Sequence, residues 1–252
     1  MTDTPSRGCG ACRDGRALDF PISMAFQPIV DLRTGRPWAY EALVRGAQGE
    51  SAASVLARVT PENRYAFDQQ CRVAAIEGAV AAGLLETGAR LSINFLPNAV
   101  YSPKACIQLT LRTAQATGLP TDRLMFEFTE DEKMADPAHV LDIVESYREM
   151  GFTTALDDFG AGYAGLGLLA RFQPDVIKLD MALLRGLDAS EPRRVIVDAM
   201  VGLCRRLGVT VIAEGIETRG ELDAVRALGI ELVQGYLLAK PAFEALPEPV
   251  LV

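Results

Sequence analysis

Five times along the chain a helical-looking stretch stops at a glycine followed by an apolar residue. The pairs are Gly83-Leu84, Gly118-Leu119, Gly151-Phe152, Gly208-Val209 and Gly229-Ile230. Glycine after a helix is a common stop, because it accepts the left-handed conformation there. Short apolar runs follow: Leu91 to Leu96, Leu124 to Phe128, Thr153 to Leu156, Val176 to Leu179, Val209 to Ala213 and Glu231 to Tyr236. Helix starts are expected at Thr60-Pro61-Glu62, at Asp136-Pro137 and at Thr218, where Glu221 completes a capping box. Two further runs, Met24 to Leu32 and Trp38 to Val44, open the pattern with no helix between them. They read as a hairpin around Arg33-Thr34-Gly35-Arg36. Eight strands alternating with helices predict an α/β protein, a modified TIM (β/α)8 barrel whose initial hairpin makes one strand antiparallel. An open doubly wound sheet is the alternative, but no glycine-rich dinucleotide fingerprint follows the first strand.

A chain of 252 residues, 49% of them apolar, can bury one large core. No linker-like stretch divides it. Residues 1–19 are expected to form a flexible arm and 20–252 one domain. With 33 acidic against 25 basic residues the net charge is -8, which argues against binding bulk nucleic acid. A polyanionic small molecule would need bridging cations. No apolar run approaches a membrane span, and the polar start lacks a signal peptide's apolar segment, so a cytoplasmic location is expected.

Alternation along the strands sets polar residues among apolar ones. Glu41 shares a face with Leu43 and Arg45. Ser92 and Asn94 oppose Leu91, Ile93 and Phe95. Glu127 lies between Phe126 and Phe128, and Lys178 shares a face with Asp180. Glu214 closes one run, Gln234 interrupts another, and Asp157 and Asp158 end a third. Any one such residue reads equally well as a strand end facing water or half of an ion pair. Together they fall near the C-terminal ends of seven strands, which in a barrel meet at one rim.

Carboxylates converging there would repel one another and lose hydration, and bound cations are the usual remedy. The single histidine, His139, reads as a surface residue rather than a ligand. An oxygen-only donor set suits Mg²⁺ or Mn²⁺, and Ca²⁺ is expected to bind without supporting turnover. Two ions sharing a carboxylate would suit phosphoester hydrolysis. Asp157 and Asp158 would then serve one ion each at a strand–loop junction. Lys178 is placed to orient the attacking water or to stabilise charge on phosphate oxygens; neutralising the acids is its alternative role. Glu214 reads as general base or as ligand.

These residues lie within motifs that, in order, resemble the EAL-domain cyclic-di-GMP phosphodiesterases. The motifs are FQPIVDL at 26–32, EALVRG at 41–46, INFLP at 93–97, FEFTE at 126–130, DDFGAGY at 157–163, IKLD at 177–180, AEGIE at 213–217 and QGYLLAKP at 234–241. INFLP and FDQQC resemble the subgroup attached to blue-light-sensing flavin domains. The resemblance implies a modified TIM barrel that hydrolyses cyclic-di-GMP to linear pGpG with two Mg²⁺ or Mn²⁺ ions. It implies that Glu41, Asn94, Glu127 and Asp157 are metal ligands, that Asp158 contacts the second metal, that Lys178 holds the catalytic water, and that Glu214 is base or second-metal partner. It further implies that Glu217 supports that shell, that Gln27, Leu43, Arg45, Asp180 and Gln234 contact the nucleotide, and that Glu130 anchors a loop. A homodimer through the segment after Asp158 is implied as well.

The departures are few. The family's usual DDFGTGYSSL reads DDFGAGYAGLG here, so hydroxyls are missing at Ala161 and Ala164, and Gly46 stands where a bulky aromatic is common. The competing functions are a cyclic-di-GMP receptor or protein-interaction module gated by a regulatory partner or by dimerisation, and another metal-dependent barrel enzyme. No expected ligand is lost, which favours the enzyme. Cys9 and Cys12 form a lone CxxC pair, a weak metal motif. Cys71, Cys106 and Cys204 fall on helix-like segments and are expected in the core.

Overall fold

The computed structural model describes residues 18–129, 137–162 and 165–250. Cys9, Cys12, Glu130 and Asp136 lie outside the described residues. The first hairpin is present as β1 (Ile22–Asp31) and β2 (Arg36–Gly46). Then follow α1 (Ala52–Leu56), α2 (Arg64–Ala81), β3 (Arg90–Asn94), α3 (Pro103–Cys106), α4 (Gln108–Thr117) and β4 (Leu124–Thr129). The second half comprises α5 (Pro137–Glu149), β5 (Thr153–Phe159), α6 (Gly165–Arg171), β6 (Val176–Leu179), α7 (Met181–Leu184), α8 (Glu191–Leu207), β7 (Thr210–Ala213), α9 (Arg219–Ala227), β8 (Leu232–Val233) and β9 (Ala242–Phe243).

Strands β2 to β8 pair in parallel, in chain order. β1 closes the barrel by running antiparallel to both β2 and β8, and β9 adds a short antiparallel pairing to it. The expected barrel with one reversed strand is what forms. All five helix-stopping glycines have positive φ, between 71° and 95°. The capping box at Thr218 and Glu221 is complete. At the start of α2 the expectation fails. The helix begins at Arg64, and the Asn63 side chain accepts the Thr60 N–H instead of the reverse. The last run shortens to two paired residues, because Gln234 onward turns inward to bond the loop at Ile216.

Alternation divides the core into two. Outward-facing strand residues such as Phe26, Ile93, Phe126, Phe128, Leu156 and Ile177 pack under the helices. Inside the barrel a separate apolar group of Ile29, Ala39, Met125, Ala155, Val176, Ile212 and Leu232 closes the floor, backed by Trp38. Cys71, Cys106 and Cys204 are buried, as expected. His139 is half-buried rather than on the surface, with a ring nitrogen against the Val100 carbonyl oxygen.

Candidate active site

Two residues along each inward face, the chemistry changes. Glu41 stands above Ala39, Glu127 above Met125, Asp157 above Ala155, Lys178 above Val176, Glu214 above Ile212 and Gln234 above Leu232. On the reversed strand Gln27 precedes Ile29 and so reaches the same level. Its Cα partner across the hairpin is Glu41.

Lys178 stands at the centre, with 1% of its side chain exposed. Its Nζ lies 2.7 Å from Glu214 Oε1, 2.9 Å from Glu127 Oε2, 3.1 Å from Asp157 Oδ1 and 3.5 Å from Glu41 Oε2. Amide donors fix Glu41 from either side. Asn94 Nδ2 donates to Oε1 at 3.0 Å, and Gln234 Nε2 donates to Oε2 at 2.8 Å. Gln234 Nε2 also lies 3.3 Å from Gln27 Oε1, and Gln27 Nε2 donates to the Ala239 carbonyl.

The adjacent aspartates solve a geometric problem. Strict alternation would send Asp157 and Asp158 to opposite faces. Instead β5 carries one residue more than β6: Leu156 pairs with Ile177, but Phe159 pairs with Leu179. Asp158 absorbs the extra residue with φ at 54°, a left-handed value rare outside glycine. Both carboxylates therefore line one cleft of about 480 Å³, with Gln27, Glu41, Leu43, Lys178, Asp180, Glu214, Glu217 and Gln234. Asp180 also caps α7 through the Ala182 N–H. Glu217 pairs with Arg185 at 2.9 Å. Arg45 stands apart from the cleft lining and donates to the Val44 carbonyl. Gly235, Tyr236, Met181 and Gly215 line the cleft too and were not singled out from the sequence as site residues, although Gly215, Gly235 and Tyr236 lie inside quoted motifs. A Cβ at Gly235 would sit 2.0 Å from the Ile216 carbonyl oxygen, so a side chain there would displace Gln234's neighbour.

Burial dominates the electrostatics. It pushes Glu127 up to about 8, with Glu41 and Asp157 adding to the rise and Lys178 opposing it. Burial, then Asp157 and Asp180, pushes Asp158 up to about 6. Burial also holds Glu214 well above the usual carboxylate range against the pull of Lys178. For Lys178, burial works to lower its affinity for a proton. The surrounding Asp157, Glu127, Glu214 and Glu41 outweigh it and hold the ammonium well above its ordinary value.

The donors fit divalent cations. Glu41, Glu127 and Asp157 offer one group of oxygens, and Asp157, Asp158 and Glu214 another, the atoms in each lying within 4.8 Å of one another. Asp157 belongs to both. Glu127 Oε1 and Gln234 Oε1 are buried and take no hydrogen bond, two acceptors left over at the rim. With all five carboxylates of these groups ionised, as bound cations would favour, one lysine leaves four negative charges, the number that two divalent ions would balance.

Comparison with known proteins places this geometry. Residues 19–241 match the model of the EAL domain. The chain is 34% identical over 224 residues to the Escherichia coli K12 protein named blue light- and temperature-regulated antirepressor BluF, covering 88% of this chain and 55% of that one. It is 32% identical over 231 residues to cyclic di-GMP phosphodiesterase PA2567 of Pseudomonas aeruginosa, covering 89% of this chain and 38% of the relative. The chain thus spans about half the length of these curated relatives, or less. A crystal structure of a standalone versatile EAL protein from Vibrio cholerae O395, in its c-di-GMP-bound form, superposes with a TM-score of 0.89 at 50% identity, covering 93% of this chain and 98% of that one. Barrel, motifs and carboxylate rim agree with these matches: the chain belongs to the EAL domain family.

Proposed function

We propose that the chain is a cyclic-di-GMP phosphodiesterase that hydrolyses its substrate to linear pGpG with Mg²⁺ or Mn²⁺, lowering the level of a second messenger. The observation that carries this reading is the pair of carboxylate groups sharing Asp157 around a buried lysine. Two bound ions would supply an activated water and screen the phosphate charge. Glu41, Asn94, Glu127 and Asp157 would hold one ion, and Asp157, Asp158 and Glu214 the other. Asn94 would have to exchange its bond to Glu41 for one through its carbonyl oxygen. Lys178 keeps its proton in this setting, so it holds the attacking water by donation and offsets charge on the phosphate oxygens. Glu214, 2.7 Å from that ammonium, is base or second-ion partner: as base it would take the water's proton. Gln27, Leu43, Asp180 and Gln234 line the cleft where the nucleotide would lie. Arg45 would need to leave the Val44 carbonyl to reach a phosphate. Glu217, through Arg185, steadies the loop that follows β7.

Incubation with cyclic-di-GMP and Mg²⁺ or Mn²⁺, followed by chromatography, tests the reading. Linear pGpG should appear, cease with a chelator, and not form when Ca²⁺ replaces both ions although nucleotide still binds. Full turnover in Ca²⁺ would count against the two-ion scheme. Binding without turnover in every metal would favour a receptor or partner-gated module. The name of the antirepressor relative keeps that second reading in view.

A further inference from the structure

The sequence passes over one buried ion pair. On α2 the positions 68 and 72 lie one turn apart on the face that packs against the barrel. Asp68 and Arg72 occupy them, with side chains 1% and 0% exposed, and pair at 2.9 Å. A buried pair of this kind is weak evidence for stability, since apolar residues of similar size often serve as well. Its partners suggest another role. Asp68 Oδ1 accepts the backbone N–H of Leu96 at 2.9 Å, two residues beyond Asn94. Gln69 Nε2 lies 3.3 Å from the other oxygen. Arg72 lies over the rings of Phe95 and Phe126 and donates to the Tyr147 hydroxyl at 2.8 Å.

The segment Phe95–Val100 leaves the sheet immediately after Asn94, and polar contacts hold it. The Phe95 N–H bonds the Glu127 carbonyl, the Leu96 N–H bonds Asp68, and the Val100 carbonyl meets His139. Of these, the bond to Asp68 is the helix side-chain contact nearer the strand end, two residues from Asn94 against six for Val100 and His139. Asn94 in turn donates to Glu41. We propose that Asp68 is a positioning residue for Asn94: by fixing the Leu96 N–H it sets the end of β3 and hence the amide beside Glu41, while Arg72 balances the buried Asp68 charge. The consequence for metal binding rests on the function proposed above; the bracing of Asn94 does not.

Two variants separate bracing from fold. Both carry Arg72→Met and Tyr147→Phe, so that neither a charge nor a hydroxyl is left alone. One adds Asp68→Leu and the other Asp68→Asn, whose amide oxygen still accepts from Leu96. Both are expected to fold, and the asparagine variant guards against misreading a collapsed leucine variant. Hydrogen exchange and NMR on metal-free protein should show faster exchange at the Leu96 amide and a shifted Asn94 side-chain amide in the leucine variant alone. In calorimetry with Mn²⁺, the leucine variant should bind about tenfold more weakly, the loss typical of an outer partner. The asparagine variant should match the parent. Equal behaviour of the two variants, or unchanged Leu96 and Asn94 signals in the leucine variant, would overturn the proposal. A parent that binds no Mn²⁺ would count against the proposed function, and the amide signals would still decide whether Asp68 braces Asn94.

Discussion

The floor and the rim of the barrel interior are built on the same strands, on the same faces, two residues apart. The floor is Ile29, Ala39, Met125, Ala155, Val176, Ile212 and Leu232. The rim is Gln27, Glu41, Asp157, Lys178, Glu214 and Gln234, with Glu127 among them, fully buried. The floor gains from desolvation, roughly 25 cal/mol for each Å² of apolar surface removed from water. The rim bears a desolvation cost, visible in the raised Glu127, Asp158 and Glu214. One layer therefore secures the fold and the other carries charge that the fold alone leaves uncompensated. That division predicts which substitutions damage activity and which damage stability.

The largest effect is expected from Glu41→Ala. Removing a proposed ligand should lower hydrolysis beyond the roughly 10–100-fold typical of losing an outer partner, with circular dichroism unchanged. Near-normal turnover would remove Glu41 from the ligand set. Lys178→Ala comes next. Losing a preorganised donor should lower turnover by about 10²–10³, with nucleotide affinity much less affected. A loss confined to affinity would contradict its proposed hold on water. On the floor, Met125→Ala should do the opposite. It should cost about 2–5 kcal/mol in denaturant unfolding while the remaining folded protein binds Mn²⁺ normally. A metal-binding defect there would show that floor and rim are not separable.

The smallest effect is on pH. Glu127 and Asp158 titrate higher when folded, about 8 and about 6, than as free carboxylates near 4.5 and 3.8. The folded metal-free chain then holds more protons than the unfolded chain between those limits, so its stability falls as pH rises through them. The thermal midpoint without metal should be higher near pH 5 than near pH 8. Saturating Mn²⁺ should reduce or reverse that slope, because the ions favour the ionised carboxylates. An unchanged slope with metal would mean these carboxylates are not where the ions bind.

Much of this architecture was legible in the sequence, because periodicity two and glycine stops are local signals. The strands, the reversed hairpin and the rim residues from Glu41 to Gln234 follow from them. What escaped was set by contacts between distant segments. The sequence reading brings both Asp157 and Asp158 to the strand–loop junction, but the extra residue opposite β6 that turns both inward is set by pairing with a distant strand. Asp68 and Arg72 carry no local signal of their role, since their partners Leu96 and Tyr147 lie 28 and 75 residues away. Arg45 shared a face with Glu41 on paper, yet its guanidinium turns back to its own backbone. α2 starts at Arg64, after a turn in which the Asn63 side chain accepts the Thr60 N–H.

The reversed direction of β1 has a topological consequence. In a barrel of uniformly parallel strands the chain enters at the floor. Here Ile22, where β1 begins, pairs with Gly46, where β2 ends, so the chain enters beside the carboxylate rim. The other end returns to the same doorway, with Ala242 and Phe243 against Phe26 and Ala25. A segment joined ahead of β1 would therefore start beside the carboxylate rim, with no barrel length between the two.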